Sequence, residues 1–236
     1  MKIVSYCLYG SDPKYHEGLI RTIPSVEQKL PGYKIILWVP QGFQFMAHHM
    51  DKINRYKESG LLSIMHPDIK CTGQYLMFYR FTPASMPDVS VMYCKDLDSP
   101  ILERELEAMR EFESSDKMFL IIRDHPSHRM RIIGGMWGAK YGAISDMKML
   151  IKRFLLNYPE QYGTDETFLQ EHIYPRIIDK AMIYDSFNLH PDEKDVRKFK
   201  TPRVNDEFVQ MVLNADGSRV EMHHDNLRAY IKNHNL

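Results

Sequence analysis

The feature that most constrains this chain is the alternation of two hydrophobic periods over its first third. Residues Lys2 to Tyr9 form a β-branched and aromatic run that stops at the turn cluster Gly10-Ser11-Asp12-Pro13. From Tyr15 to Leu30 the apolar residues Leu19, Ile20, Ile23, Val26 and Leu30 recur at helical spacing, and Pro31-Gly32 closes the segment. A strand pattern follows at Tyr33 to Val39, a helix pattern at Phe43 to Ser59 and a third strand at Leu61 to His66. The order β-α-β-α-β predicts a parallel sheet with right-handed crossovers. The 236 residues suit one α/β domain with a well-buried core, and no linker divides them.

The central third ends its strands in polar chemistry. Val89 to Cys94 reads as a buried strand, and Lys95-Asp96-Leu97-Asp98-Ser99-Pro100 leaves it, since Pro100 cannot continue a ladder. Asp96 and Asp98 stand two apart, so they point the same way. At the carboxyl end of an open α/β sheet, where ligands bind, such a pair suits Mg²⁺ or Mn²⁺ and through it a diphosphate. Asp98 reads equally as the N-cap of the helix expected from Ile101 to Phe112, with Pro100 at its first position.

Other groups carry candidate chemistry. Gln74 to Phe81 reads as an aromatic helix carrying Arg80, ended by Pro83. The strand Met118 to Ile122 runs into Arg123-Asp124-His125-Pro126-Ser127-His128, which is either a hydrogen-bonded loop or part of a site. Gly134-Gly135-Met136-Trp137-Gly138 has the wrong spacing for a P-loop, and Trp137 suits either the core or a sugar-stacking platform. Ser145 opens a helix to about Leu156. Thr164 is the expected N-cap of the next helix, with Asp165 and Glu166 in its first turn as dipole-favoured acids or as a catalytic base. A last strand is expected at Ala181 to Asp185, and His190 beyond it is a candidate third metal or diphosphate contact. Past Pro191 the pattern weakens to a His-rich tail with one turn at Asp216-Gly217.

Composition narrows the partners. Lys plus Arg and Asp plus Glu are 31 each, so net charge favours neither a nucleic-acid nor a membrane partner. Cys7, Cys71 and Cys94 are an odd, widely spaced set that reads as reduced thiols, and no run approaches the ~20 apolar residues of a bilayer span. Without a signal-peptide pattern, the expected location is cytoplasmic, in host cytosol if the source is a virus.

Taken together, Lys95-Asp96-Leu97-Asp98-Ser99-Pro100, Ser115-Asp116-Lys117, Ile122-Arg123-Asp124-His125-Pro126 with His128, Ile133-Gly134-Gly135-Met136-Trp137-Gly138 and Asp165-Glu166-Thr167-Phe168-Leu169 resemble the GT-A-fold glycosyltransferases of bacteria and large DNA viruses, chlorella viruses included. The resemblance spans residues 1 to 190 and leaves 191 to 236 as a C-terminal extension packed on the same domain. It implies a mixed, mainly parallel, Rossmann-related sheet flanked by helices. It also implies a metal-dependent hexosyl- or deoxyhexosyl-transferase that moves sugar from a nucleoside diphosphate sugar, UDP-linked, to a glycan hydroxyl. By this resemblance Asp96 and Asp98 hold Mn²⁺ or Mg²⁺ against the donor diphosphate. Ser5, Tyr6, Tyr9 and Gly10 contact the base and ribose. Arg80 and Leu97 lie along the donor, and His125, Gly134, Gly135 and Trp137 line the sugar pocket. Asp165, Glu166 and Asp124 are the candidate bases, and inverting and retaining routes both stay open. Two positions depart from the pattern: Glu166 stands where Gln is expected, and Tyr184 where His is expected. The rival readings are a sugar-1-phosphate nucleotidyltransferase and a non-catalytic carbohydrate- or nucleotide-binding protein.

Overall fold

The computed structural model describes residues 1–68 and 73–234, so Cys71 lies outside the described residues. Its first third follows the alternation in the sequence. Strand β1 (Lys2–Cys7) leads to helix α1 (Pro13–Lys29), β2 (Tyr33–Trp38), helix α2 (Met50–Glu58) and β3 (Leu62–Met65). All three strands pair in parallel. Helix α1 starts two residues before the expected Tyr15, because Asp12 accepts from the Lys14 amide at 2.9 Å and Pro13 suits the first turn. The second helix begins later than its periodicity predicts, because residues 43–46 run irregularly and Ala47–His49 form a single 3-10 turn before it.

The aromatic segment Gly73–Ser85 is a run of 3-10 turns, not an α-helix, and Pro83 lies within it. Strand β4 (Val91–Cys94) pairs with β1 in parallel, after which helix α3 (Glu103–Ser114) begins two residues beyond the expected start. Strand β5 (Phe119–Arg123) follows. The glycine segment then yields a strand that its residues did not signal: β6 (Trp137–Lys140) runs antiparallel between β4 and β5. Helices α4 (Met147–Leu155), α5 (Thr164–Phe168) and α6 (Tyr174–Ile177) precede β7 (Ala181–Asp185), β8 (Val196–Arg197) and α7 (Glu221–His234). The strand order is β3-β2-β1-β4-β6-β5-β7-β8, a mixed, mainly parallel sheet.

The sheet separates two apolar layers. Alternation along β1 sends Ile3 to one face and Val4 and Tyr6 to the other, where they meet Leu19, Ile23 and Val26 of α1. Trp137 of β6 stacks on Phe119 of β5 at 5.0 Å and 10°, with Phe81 beside it at 5.4 Å. Gly138 presents no side chain because the Tyr93 ring of β4 occupies that space. Among the described residues no helix is long and apolar enough to cross a membrane.

Candidate active site

The carboxyl ends of β1 and β4 open onto a cavity of about 340 Å³ lined by Leu8, Tyr9, Lys14, Arg80, Asp96, Asp98, Gly134, Asp165, Glu166 and Gln210, among others. Its position follows from the register. Ser5 of β1 stands opposite Cys94 of β4, and the Lys95 amide donates to the Ser5 carbonyl at 3.1 Å, so both strands end level. Leu97 turns into the apolar layer beneath, which leaves Asp96 and Asp98 on the cavity wall. Helix α1 lies hard against this turn because Gly18 has no Cβ, which would collide with the Leu97 backbone.

Asp98 does not cap α3: that helix begins at Glu103, and no side chain caps it. Its carboxylate instead meets Lys14 at 2.8 Å. Burial raises its pKa and the neighbouring Asp96 charge raises it further, against the pull of Lys14. Asp96 accepts from Arg80 on one oxygen and from the Gln210 amide on the other. Arg80 is 3% exposed and reaches Asp165 with its second terminal nitrogen at 2.9 Å. One guanidinium thus braces two acids. The glycines make room for this brace: a side chain at Gly134 would strike Arg80 and Asp165, and one at Gly135 would strike Asp96 and Gln210.

Glu166 lines the same cavity with no ion pair among the described residues. Burial, then the charges of Asp165 and Asp96, raise its pKa above the ordinary glutamate value. The helix carrying these acids starts at Thr164 with Gly163 as its cap residue, not Thr164, whose hydroxyl donates back to the Gln161 carbonyl at 2.8 Å. Cys7 also lines the cavity, and burial pushes its thiol up to about 12, so it is no nucleophile at neutral pH.

Other candidates sit elsewhere. Ser5 and Tyr6 are buried in the sheet, and Gly10 makes the exposed β1–α1 turn at φ +72°. Trp137 is in the core, so the core alternative describes it and the sugar platform does not. Asp124 is wholly buried and saturated: it accepts from Arg104 at 3.0 and 2.8 Å, Arg203 at 2.6 and 3.2 Å, Ser186 at 2.6 Å and the Val209 amide at 3.0 Å. His125 is buried beside it, with Nε2 2.9 Å from the His223 carbonyl. His190 lines a different depression with Glu193 and Lys194.

In place of His190 the structure brings Gln210 to Asp96. Its backbone is left-handed, at φ +69°, a costly conformation for a residue with a side chain. Its Oε1 is buried without a hydrogen-bond partner, which is equally costly. Lys14 is the other residue that sequence reasoning missed. Its signal was legible, because a lysine in the first turn of a helix opposes the helix dipole and needs an anion nearby.

The donor set fits a hard divalent cation. Two carboxylates face one cavity, the Asp96 charge raises the cost of ionising Asp98, and an amide oxygen with no partner among the described residues sits beside them.

A scan of family models and a search of curated proteins find no match. The fold has neighbours among solved structures. The mannosyltransferase PcManGT from Pyrobaculum calidifontis, in complex with GDP-Man and Mn²⁺, aligns at 11% identity and TM-score 0.46 over 86% of this chain and 58% of that one. A glycosyltransferase involved in glycosylation of the major capsid of PBCV-1 aligns at 13% identity and TM-score 0.50 over 78% of this chain and 81% of that one. The 4-diphosphocytidyl-2C-methyl-D-erythritol synthase of Anaerococcus prevotii aligns at 12% identity and TM-score 0.49, covering 98% and 96%. The chain therefore spans 58% of the length of the mannosyltransferase. At 13% identity the likeness to the PBCV-1 glycosyltransferase is one of fold, and the chain has the GT-A-like, Rossmann-related fold that its motifs resemble.

Proposed function

We propose that this chain is a metal-dependent glycosyltransferase that moves a hexosyl or deoxyhexosyl group from a nucleoside diphosphate sugar, UDP-linked, to a glycan hydroxyl. The observation that carries this reading is the convergence of Asp96, Asp98, Arg80, Lys14, Asp165 and Glu166 on one cavity at the carboxyl ends of β1 and β4. That is where open α/β sheets bind nucleotides.

Asp96 and Asp98 would hold Mn²⁺ or Mg²⁺, and the Gln210 amide, which donates to Asp96, would offer its oxygen in place of His190. The bound ion supplies charge neutralisation for the departing diphosphate. Lys14 lies beside Asp98 and adds a mobile positive charge to the same end of the cavity. Tyr9 and Leu8 offer the flat apolar wall that a base and ribose need.

The acids divide the remaining work. Asp165 is tied to Arg80, so its carboxylate is committed to the brace. Glu166 is not, and its raised pKa suits a general base that takes the acceptor hydroxyl's proton as that oxygen attacks. A base in this position would serve an inverting route. Arg80 is a positioning residue that acts through Asp96 and Asp165.

The test is a screen of nucleotide sugars for Mn²⁺-dependent hydrolysis, followed by Asp96→Ala and Asp98→Ala. Release of UDP, abolished in both variants along with most UDP binding, supports the assignment. Pyrophosphate release identifies a nucleotidyltransferase instead. Wild-type turnover in either variant, or glycan binding with no response to UDP, overturns it.

A further inference from the structure

Away from the cavity, one group of metal-ligating side chains among the described residues converges on a point. Glu17 lies in the second turn of α1, and His48 and His49 form the 3-10 turn that leads into α2. The Nε2 atoms of His48 and His49 lie 3.4 and 3.1 Å from the same glutamate oxygen, Oε1. The rings are 4.0 Å apart between centroids and tilted by 60°. All three donor atoms fall within 4.8 Å of one another.

These separations can be compared with a metal site. Donors about 2.0–2.1 Å from a four-coordinate zinc ion stand roughly 3.3 Å apart at the tetrahedral angle. The two Glu17-to-imidazole distances bracket that value. As hydrogen bonds the arrangement is poor, because two imidazoles crowd onto one oxygen and the His48 contact is beyond the usual N–H···O range. A cation among the three atoms would use both nitrogen lone pairs and the carboxylate charge without moving the backbone.

We propose that Glu17, His48 and His49 form a second metal site, for a borderline ion of the zinc class, with water completing its coordination. Two neutral imidazoles and one carboxylate favour Zn²⁺, Ni²⁺ or Cu²⁺ over Mg²⁺, whereas the all-oxygen set of Asp96, Asp98 and Gln210 has the opposite preference. The two sites are therefore chemically separable. The second site fastens residues 47–49, at the end of the β2–α2 connection, to α1 across 31 residues of sequence. The same connection already touches α1 through Phe43, stacked on His16 at 5.6 Å and 17°, and His16 is held at the Gly10 carbonyl at 3.1 Å. Lys14 and Tyr15 leave the same helix end toward the cavity. The ion is thus a staple that orders one wall of the donor site.

The experiment uses the full chain without a histidine tag, stripped by chelator and held in excess Mg²⁺. Zn²⁺ is titrated by calorimetry while thermal melting is followed, and Co²⁺ substitution reads the coordination geometry by its visible absorption. Glu17→Gln and His48→Ala alter half-exposed and exposed side chains, 35% and 66%, so both variants keep the fold, as zinc-free melting verifies. The expected result is one Zn²⁺ per chain, a melting temperature that rises with Zn²⁺, and an affinity loss in each variant above the roughly 10-fold to 100-fold cost of removing an outer partner of a metal site. Zinc binding equal to wild type in both variants, no binding at all, or binding abolished by Asp96→Asn would each overturn the proposal.

Discussion

Replacing Arg80 by methionine removes the cation that braces two acids while keeping most of the side chain's volume. In the native arrangement Arg80 is 3% exposed, contacts Asp96 and lies 2.9 Å from Asp165, whose side chain is 10% exposed. Breaking a buried pair by deleting one partner costs about 3–5 kcal/mol, because the other charge is stranded. Asp96 is 28% exposed at the cavity wall, so solvent screens its share, and the loss in Arg80→Met falls to about 2–3 kcal/mol. A urea slope near the upper end of the usual range, about 3 kcal/mol per molar, makes this a drop of nearly 1 M in the unfolding midpoint. Mn²⁺ at the proposed site would compensate Asp96 but not Asp165, so saturating metal should recover part of the deficit and leave the rest. Arg80→Lys should fall between, since an ammonium cannot serve both carboxylates in the fork geometry of a guanidinium. Urea melts of the three proteins with and without Mn²⁺ decide it. A wild-type midpoint for Arg80→Met without metal, or a deficit that Mn²⁺ leaves untouched while still binding, would refute the bracing role.

Two further outcomes follow from the acids. Burial, Asp165 and Asp96 raise the Glu166 pKa above its unfolded value, so above that value the unfolded chain releases its proton first and stability falls as pH rises toward the folded pKa. Activity should rise through the same window as the base ionises, and Glu166→Gln should remove both the acidic limb of kcat/KM and the stability slope; an unchanged limb would exclude Glu166 as the base. Asp124 shows the opposite sign. Burial works to raise its pKa, but hydrogen bonds from Arg104 and the charge of Arg203 hold it below the ordinary aspartate value, so its stabilisation is present above the unfolded pKa and lost as pH falls through the folded one. Asp124→Asn should cost about 3–5 kcal/mol and lower the melting temperature by roughly 10 °C, and a variant that melts normally but is inactive would return Asp124 to the catalytic list.

The fold was legible wherever a local period decided it. The α1 periodicity and the β-branched strands each follow from chemistry within a few residues. β6 was not legible, because Gly138 and Ala139 carry little strand preference of their own. Trp137–Lys140 is extended because β4 and β5 supply its hydrogen-bond partners on both sides and Tyr93 needs the space that Gly138 leaves. The segment from Phe43 to Met46 failed in the other direction: its aromatics fit a helical pattern but are used in ring contacts, Phe43 on His16 and Phe45. Gln210 had no local signal at all. Its place beside Asp96 is made by a contact spanning 114 residues, and only the folded chain shows that its backbone is left-handed and its oxygen unpartnered.

The two acidic strand ends, Asp96 to Asp98 after β4 and Asp124 after β5, look alike in sequence and differ in what the rest of the chain brings to them. Around Asp124 the long-range partners arrive in excess: two arginines, a hydroxyl and an amide satisfy both oxygens in a wholly buried place. Such a group can neither bind a ligand nor exchange a proton without breaking the fold. Around Asp96 and Asp98 the partners stop short, leaving an open cavity, a half-buried lysine, an acid without a cation and an amide oxygen without a donor. Free energy left unsatisfied there is available to a ligand. A polar strand end therefore marks where chemistry can be built, and the degree to which tertiary contacts saturate it decides whether it becomes scaffold or site.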